Sequence, residues 1–355
     1  MKNDVPFWIG ALVTAAVLAI APVPTWMIEQ FYSRDFYPVE QGLVTSMSNA
    51  IPLAVLDLLL LVLLVLVVRW FVRFFKVWRD DGPVDAVWEI FRRVVRAVSV
   101  VAIFFLIMWG LNYRRIPLEN ALGILGPPPT VDELQSSIIE ANSLAARERP
   151  LITATSAEGY EDLVRRLRMP FDAALKQLNR GPLQVSGRPK YSLILTPYFT
   201  AAGIDGMINS LALESIVHPD LLPKERPFVL AHEWAHLAGS ADEAEASAIG
   251  WFACMKGDPV LAYSASLYLI GEAGSSLPPD RWRALVAKID PGVRADLDAI
   301  AVRVARRQPA VQRAASRVYD SYLKANSIDD GVASYSRALT LILSPKLHDA
   351  YGQVR

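Results

Sequence analysis

The first third of the chain contains three apolar stretches, each close to the length of about 20 residues that a helix needs to cross a bilayer. They lie at roughly 7–28, 50–68 and 94–113. A cleaved signal peptide is the alternative interpretation of the first stretch, but its weakly charged start and long apolar run favour a retained helix. The sequence therefore predicts a membrane region of three transmembrane helices over residues 1–115.

Charge in the connecting loops predicts how this region is oriented. The loop between the first two stretches has Arg34 against three acidic residues, whereas the loop between the second and third is basic. Its basic residues are Arg69, Arg73, Lys76, Arg79, Arg92, Arg93 and Arg96. Because cytoplasmic loops carry the excess of Lys and Arg, we expect the amino terminus inside and everything after about residue 114 outside the cytoplasm, although Arg114 and Arg115 weakly favour the reverse.

The remaining composition excludes some classes of protein. The 36 basic and 36 acidic residues cancel, so no nucleic-acid partner is indicated. The single cysteine, Cys254, can form neither an intrachain disulfide nor a cysteine-rich zinc site. Asp57 lies inside the second apolar stretch, where a carboxylate is either functional or paired across the helix bundle. The lipid bilayer is the partner that composition predicts, and the oligomeric state stays open.

The sequence after the apolar stretches has the pattern of a soluble, mainly helical domain. Pro127, Pro128 and Pro129 close a spacer that we place at 116–129, and the domain is expected over 130–355. The predicted helices lie at 130–147, 157–180 and almost everywhere after Pro223, and the predicted strands lie at 190–195 and near 207–217. We therefore expect a mainly α fold with a small sheet and a helical carboxy-terminal half.

A metal-binding pattern lies in the apolar segment 228–237, as His232-Glu233-Trp234-Ala235-His236. Residues four apart share one face of a helix, so both imidazoles can bind one Zn²⁺ while Glu233 reaches a water molecule on the metal. Pro227 suits the first turn of such a helix, and Gly239 suits its end. The pattern predicts a zinc-dependent peptidase with a peptide or protein substrate and Glu233 as general base.

A catalytic zinc usually has a third protein ligand, and three carboxylates after the motif are candidates. Asp242 completes H-E-x-x-H-x-x-G-x-x-D, in which aspartate replaces a third histidine. Glu243 and Glu245 instead suit a scheme in which a second helix donates a glutamate, and helical continuity over 241–255 favours it. Ser240 and Glu243 also have the spacing of a capping box, which would use the same carboxylate differently. The spacing leaves all three carboxylates open.

Two further parts of such a site can be sought in the sequence. The oxyanion of the reaction needs a donor, for which Tyr263, Tyr335 and His218 are candidates. The predicted strands precede the motif helix, so an exposed strand edge beside the metal is expected to pair with an extended peptide. Both expectations depend on the three-dimensional arrangement.

Beyond the motif, the chain resembles the bacterial membrane proteins filed as domain of unknown function 3810. The resemblance covers most of the chain and includes a glycine-rich segment before a glutamate, HElaHqxG, ExEAN, YS, YLK-N and G-x-SY. These correspond here to Gly203, Gly206 and Glu214, to HEWAHLAG, to Glu243 through Ser247, to Tyr263-Ser264, to Tyr322 through Asn326, and to Gly331 with Ser334-Tyr335. Leu237 and Ser247 depart from the family pattern, which has glutamine and asparagine there.

The resemblance implies a gluzincin-like zinc metallopeptidase in the bacterial inner (plasma) membrane, with a zincin-like α+β domain after the amino-terminal transmembrane helices. In related gluzincins the first glutamate of E-x-E-A-[ND] is the ligand, which supports Glu243. The resemblance implies no particular substrate. A catalytically silent metal-binding scaffold or sensor is the alternative function, and an intramembrane protease is disfavoured because charged residues flank the motif on both sides.

Overall fold

Helices form most of the structure, which is a computed structural model that describes residues 5–124, 126–152, 159–326 and 337–347. The amino-terminal helices are α1 (Val5–Ile20), α2 (Thr25–Met27), a π-helix (Ile28–Phe36), α3 (Tyr37–Asn49), α4 (Val55–Asp81), α5 (Pro83–Met108), a 3₁₀-helix (Gly110–Arg114) and α6 (Leu118–Leu122). The expectation of a mainly helical chain is confirmed.

The apolar helices differ from the three predicted spans. Among the described residues, α4 is the one helix long and apolar enough to cross a membrane. The first predicted span is broken, since α1 ends before the two prolines, and the helical path of Thr25–Asn49 is bent by 102° from that of Ile9–Ile20. The third predicted span falls on the second half of α5 and the 3₁₀-helix, and Arg92, Arg93 and Arg96 lie near the middle of α5. The segments Ile9–Ile20 and Thr25–Asn49 together count at most as one further span. Helix α5 alone does not combine the length and apolar composition that a membrane span needs.

The carboxy-terminal part is a helical layer that surrounds the motif. Its helices are α7 (Val131–Ile152), α8 (Tyr160–Gln177), α9 (Thr196–Ala202), α10 (Arg226–Leu237), α11 (Glu243–Met255), α12 (Pro259–Ser276), α13 (Pro279–Val286), α14 (Pro291–Val304), α15 (Pro309–Ala325) and α16 (Arg337–Ile342). Pro227, Pro259, Pro279, Pro291 and Pro309 each lie in the first turn of a helix, where the missing N–H costs nothing. Helix α11 packs against α8, α10, α12 and α16 and forms the centre.

The small sheet is one antiparallel hairpin, in which β1 (Gly206–Asn209) pairs with β2 (Glu214–Val217). This hairpin occupies the segment where the second strand was expected. The strand expected at 190–195 is wrong, because Lys190 makes a single parallel bridge to Ile216 and the chain then turns towards α9. The Asp57 carboxylate accepts hydrogen bonds from the Ser192 hydroxyl and the Leu193 N–H, which holds that turn against α4.

One hydrophobic core joins the predicted membrane region to the predicted soluble domain. Ile28, Tyr37, Trp109 and Leu118 are buried in the same cluster as Trp234 of α10. Helix α6 also falls within the predicted spacer at 116–129. The expected boundary therefore does not divide two cores, since aromatic and aliphatic residues before it complete the packing around the motif helix.

Candidate metal centre

The motif forms the last part of helix α10. His232 and His236 project from one face, with their ring centroids 4.7 Å apart. The helix closes at Gly239, whose φ of 88° is in the left-handed region that glycine adopts freely. The Gly239 and Ser240 amides donate to the carbonyls of His236 and Ala235, respectively. The chain can therefore reverse within a few residues and bring the start of α11 back to the histidines.

The start of α11 determines what each candidate carboxylate does. Asp242 is the N-cap, and its side chain accepts a hydrogen bond of 3.1 Å from the Glu245 amide. The expected capping box of Ser240 and Glu243 is therefore wrong, because a different carboxylate caps the helix. Glu243, as the first residue of α11, is left with its side chain directed at the two imidazoles.

Three donor atoms converge at this point. Glu243 Oε2 lies 3.2 Å from His232 Nε2 and 3.3 Å from His236 Nε2, and the two nitrogens are 3.1 Å apart. Nitrogen ligands lie about 2.0–2.1 Å from a tetrahedral zinc, which puts them roughly 3.3–3.4 Å from one another. The observed triangle has nearly these dimensions. His232, His236 and Glu243 thus form a cluster into which a zinc ion fits.

The other two carboxylates are engaged elsewhere. Glu245 Oε2 forms a buried ion pair with Arg180 at 2.7 Å, and Glu245 Oε1 accepts the Leu118 amide. Asp242 caps α11 with one oxygen and pairs with Arg337 through the other. Of the three candidates, Glu243 is the one whose oxygen faces both histidines.

Further side chains orient the three donors. His236 Nδ1 lies 2.7 Å from the Ser240 carbonyl oxygen, which places the ring proton on Nδ1 and the Nε2 lone pair towards the centre. Ser247 Oγ lies 3.2 Å from His232 Nδ1. The Tyr319 hydroxyl donates to Glu243 Oε1, which leaves Oε2 facing the imidazoles. Sequence reasoning missed Ser240 and Tyr319 in these roles, whereas Ser247 was noticed only as a departure from the family pattern.

Glu233 lies beside this cluster in a confined space against β1. A Cβ at Gly206 would lie 2.5 Å from Glu233 Oε1, so a larger residue at position 206 would have to displace the Glu233 side chain. Glu233 is 3% exposed, and its Oε2 has no hydrogen-bond partner among the described residues. Burial raises the pKa of Glu233 to about 8. A buried carboxyl group with an unpartnered oxygen is suited to exchanging a proton with a reactant.

The charges of the cluster favour a cation between its members. Burial lowers the pKa of His232. Burial also disfavours the charged form of His236, but the adjacent Glu243 carboxylate outweighs this effect and raises the pKa of His236 to about 9. The same imidazoles hold the pKa of Glu243 well below its usual value in spite of burial. The cluster thus places a carboxylate against two imidazole nitrogens, and a metal cation between them would balance its negative charge.

Two of the expected oxyanion donors, Tyr263 and His218, have their hydrogen-bond partners away from this cluster. Tyr263 donates to Asp296 and lines a separate cavity of about 190 Å³. His218 Nε2 lies 2.9 Å from Thr200 Oγ1 beside a second, smaller cavity. Tyr335 falls outside the described residues, as do Gly331 and Ser334. Asp57 is paired with the 192–193 turn rather than left unpaired in the bundle.

Residues of the amino-terminal region hold the end of the motif helix. The Tyr37 hydroxyl donates to the Leu237 carbonyl at 2.8 Å, and Trp109 Nε1 donates to the His236 carbonyl at 3.1 Å. Arg115 donates to the Gly239 carbonyl at 3.0 Å. These donors bind carbonyl oxygens in the last turn of α10 and just after it, where the regular helical hydrogen bonds end. The position of the cluster of His232, His236 and Glu243 therefore depends on the helices that precede residue 116.

Comparison with known proteins identifies a family but no characterised relative. Residues 32–343 match the family described as "Protein of unknown function (DUF3810)". No curated protein and no solved structure matches the chain. The matched range begins in the π-helix, includes the whole metal cluster and ends just after α16. Because this range is most of the chain, the protein belongs to the DUF3810 family.

Proposed function

We propose that this protein is a membrane-anchored zinc-dependent peptidase. In this proposal His232, His236 and Glu243 hold Zn²⁺, Glu233 is the general base, and α4 anchors the chain. The observation that carries the proposal is the triangle of donor atoms, whose sides of 3.1, 3.2 and 3.3 Å are close to those around a tetrahedral zinc. Three protein ligands also leave a fourth position for a reactant, as in catalytic zinc sites.

Zinc bound by these residues would polarise the carbonyl of a peptide bond and lower the pKa of a water molecule. A cation at the cluster would lower the pKa of Glu233, and the ionised Glu233 would accept the proton of that water as the water oxygen attacks the carbonyl carbon. It would then transfer the proton to the nitrogen of the breaking C–N bond, which leaves as an amine. Tyr319 keeps one oxygen of Glu243 engaged, so that the other stays directed at the metal position.

Strand β1 offers a way to position an extended substrate. It pairs with β2 on one side, and its other edge has no partner strand in the part of the chain that the structure describes. Gly206 of β1 also lies directly against Glu233. A peptide that added to this edge as a further strand would pass the general base with its backbone groups in a defined register.

A silent scaffold or sensor is the alternative class of function. A zinc that is only structural is usually enclosed by four protein ligands. The cluster in the described residues has three, and a carboxyl group with an unpartnered oxygen lies next to it. These two features support the peptidase over the scaffold.

The test is an activity assay on the full chain in detergent with an unfolded casein-like protein. Glu233→Gln should lower the rate by about 10²–10⁴-fold, the usual contribution of a general base, while the zinc content stays unchanged. Glu161→Gln, at an exposed position of α8, is the matched control and should keep full activity. Zinc binding without any cleavage by the wild-type protein would favour the scaffold, and cleavage unaffected by Glu233→Gln would exclude the mechanism.

A further inference from the structure

Helix α3 buries polar residues on one face and exposes a row of apolar residues on the opposite face. The face towards the protein carries Gln41 and Thr45, which are 1% and 0% exposed. The opposite face carries Val39, Leu43 and Met47, which are 71%, 64% and 64% exposed. These residues recur at helical spacing, and Phe36 continues the same row at 50% exposure. This row, Phe36, Val39, Leu43 and Met47, is called the α3 stripe below.

The inward polar groups fix this orientation. Gln41 Oε1 accepts the amides of Gln184 and Val185, and Gln41 Nε2 donates to the Val185 carbonyl. Thr45 donates to the Leu213 carbonyl at 2.8 Å. A rotation that buried the stripe would leave these backbone groups without partners, which is costly away from water. The stripe is therefore held outward by specific hydrogen bonds.

The stripe continues into the candidate membrane helix. After α3 the chain passes exposed Ile51 and Leu53 and enters α4 at Val55. The Glu214 carboxylate accepts the amides of Val55 and Leu56, so the first turn of α4 is fixed to the β2 strand. The apolar surface of α3 and that of α4 are thus parts of one fixed surface. The 102° bend after α1 turns the helical path of Thr25–Asn49 nearly at right angles to α1.

A second apolar element lies beside the first turn of α4. Leu193 and Ile194 are 76% and 45% exposed. Asp57, in the first turn of α4, accepts a hydrogen bond of 2.7 Å from the Leu193 amide. This bond holds the two exposed residues, called the Leu193–Ile194 tip below, in place. Large exposed apolar residues that are grouped and rigidly held indicate a surface that is covered in the working molecule.

We propose that α3 lies in the plane of the membrane, with the α3 stripe and the Leu193–Ile194 tip seated in the interfacial region of the bilayer that α4 enters. Interfacial helices have this arrangement, with an apolar face in the lipid and a polar face away from it. The lipid is the occupant that the structure favours, because the stripe is continuous with the helix that is long and apolar enough to cross a membrane.

This placement also defines a substrate class, a conclusion that rests on the proposed peptidase function. The inner face of α3 binds the end of the motif helix through the Tyr37 hydroxyl and the Leu237 carbonyl. An α-helix with its side chains is about 10–12 Å across, so the end of the motif helix that carries His236 lies about one helix diameter from the lipid. The substrate is then a polypeptide segment that lies on, or emerges from, the bilayer surface.

Spin labels on the full chain in lipid nanodiscs test the placement directly. Val39→Cys, Leu43→Cys and Met47→Cys are labelled one at a time, and accessibility to oxygen is compared with accessibility to a water-soluble nickel chelate. Val302→Cys is the matched control, because Val302 is also 71% exposed and lies on α14, which Arg303 ties to Glu225 at the opposite end of α10. Unsubstituted protein gives the background, since its Cys254 is fully buried.

The labels on the stripe should be more accessible to oxygen than to nickel, and the label at position 302 should show the reverse. Equal nickel accessibility at positions 39 and 302 would place α3 in water and overturn the proposal. Labels on the stripe that are immobilised and shielded from both reagents would mean that a protein surface covers it, which also contradicts the proposal.

A second experiment separates the substrate class from the peptidase itself. One peptide is offered to the reconstituted protein in two forms, free and attached to a lipid anchor. We expect the anchored form to be cleaved several-fold faster, and Leu43→Glu/Met47→Glu to remove this advantage while cleavage of the free form is unchanged. Equal rates for both forms would contradict the substrate class. If neither form is cleaved, the peptidase proposal fails, whereas the spin-label result still decides the position of α3.

Discussion

Helices α3 and α11 both contact the motif helix α10 but place their apolar residues in opposite ways. Every residue of α11, from Glu243 to Met255, is buried, and its apolar side chains pack against four other helices. Helix α3 buries Gln41 and Thr45 and leaves Leu43 and Met47 exposed. The proposed placement accounts for this difference, with protein around α11 and lipid along one face of α3.

The two helices nevertheless follow one rule for their buried polar groups. In α11 Glu245 is paired with Arg180, and Glu243 faces the imidazoles of the metal cluster. In α3 Gln41 is bonded to backbone groups of Gln184 and Val185. These buried side chains each have a partner, as is usual for buried polar groups. The apolar residues show what surrounds each helix, whereas the buried polar residues fix where the helix lies.

The largest effect on stability is expected from breaking the buried ion pair between Arg180 and Glu245 of α11. The side chains of Arg180 and Glu245 are 1% and 8% exposed, so Arg180→Ala leaves a buried carboxylate without its cation. Unfolding in detergent should show a loss of about 3–5 kcal/mol. Arg79→Ala, which breaks the exposed pair with Asp80 on α4, is the control and should cost no more than about 1 kcal/mol. If both variants lost a similarly small free energy of unfolding, the Arg180–Glu245 pair would not be buried in the folded protein.

Truncating one apolar residue on each helix tests the contrast directly. Ile249 of α11 is fully buried, and Ile249→Ala should lower the free energy of unfolding by about 2–5 kcal/mol through lost packing and the cavity left behind. Leu43→Ala on the α3 stripe removes an exposed side chain, so the free energy of unfolding in detergent should change by less than about 0.5 kcal/mol. A large loss for Leu43→Ala would show that the stripe packs against protein.

The support of the metal ligand by Tyr319 is expected to matter for zinc affinity. Tyr319→Phe removes the hydroxyl that donates to Glu243 Oε1, and the zinc dissociation constant should rise by about 10–100-fold, as for other residues that orient metal ligands. Competition with a chromogenic chelator measures this change. Tyr198→Phe, at an exposed position of α9, should leave the affinity unaltered. An unchanged affinity for Tyr319→Phe would exclude the orienting role.

Exchanging a polar residue for an apolar one on the inner face of α3 tests whether that face is polar for the reason given, namely its hydrogen bonds to backbone groups. Gln41→Leu adds an apolar side chain where most proteins bury one. We nevertheless expect a loss of about 1–3 kcal/mol in unfolding experiments, because the Gln184 and Val185 amides lose their acceptor. Ser46→Ala, on the exposed flank of α3, provides the control. Stabilisation by Gln41→Leu would contradict the assignment of a polar inner face.

Much of the fold could be predicted because it depends on local patterns. Prolines at helix starts, Gly239 at the end of α10 and helical periodicity all act within a few residues. The strand at 190–195 could not be excluded from the sequence, since the turn there depends on Asp57, distant in the chain. The same holds for α3, whose polar face is defined by backbone groups of residues 184, 185 and 213.

The roles within the metal cluster were only partly predictable for a related reason. The spacing gives three carboxylates after the motif, and it does not show that Asp242 caps α11 or that Arg180 pairs with Glu245. Tyr319 lies 76 residues after Glu243, and no short motif connects the two. Such long-range contacts have no signal in a single sequence.

Zinc per chain, measured on metal-loaded and desalted protein, tests the central claim most directly. Wild type, Glu233→Gln and Glu245→Gln should each retain about one zinc, since three protein ligands complete a catalytic site with one open position. Glu243→Gln should lose it, because an amide replaces the carboxylate oxygen that faces both histidines. A wild-type protein without zinc, or a Glu243→Gln variant that binds zinc as tightly as wild type, would contradict the metal centre proposed here.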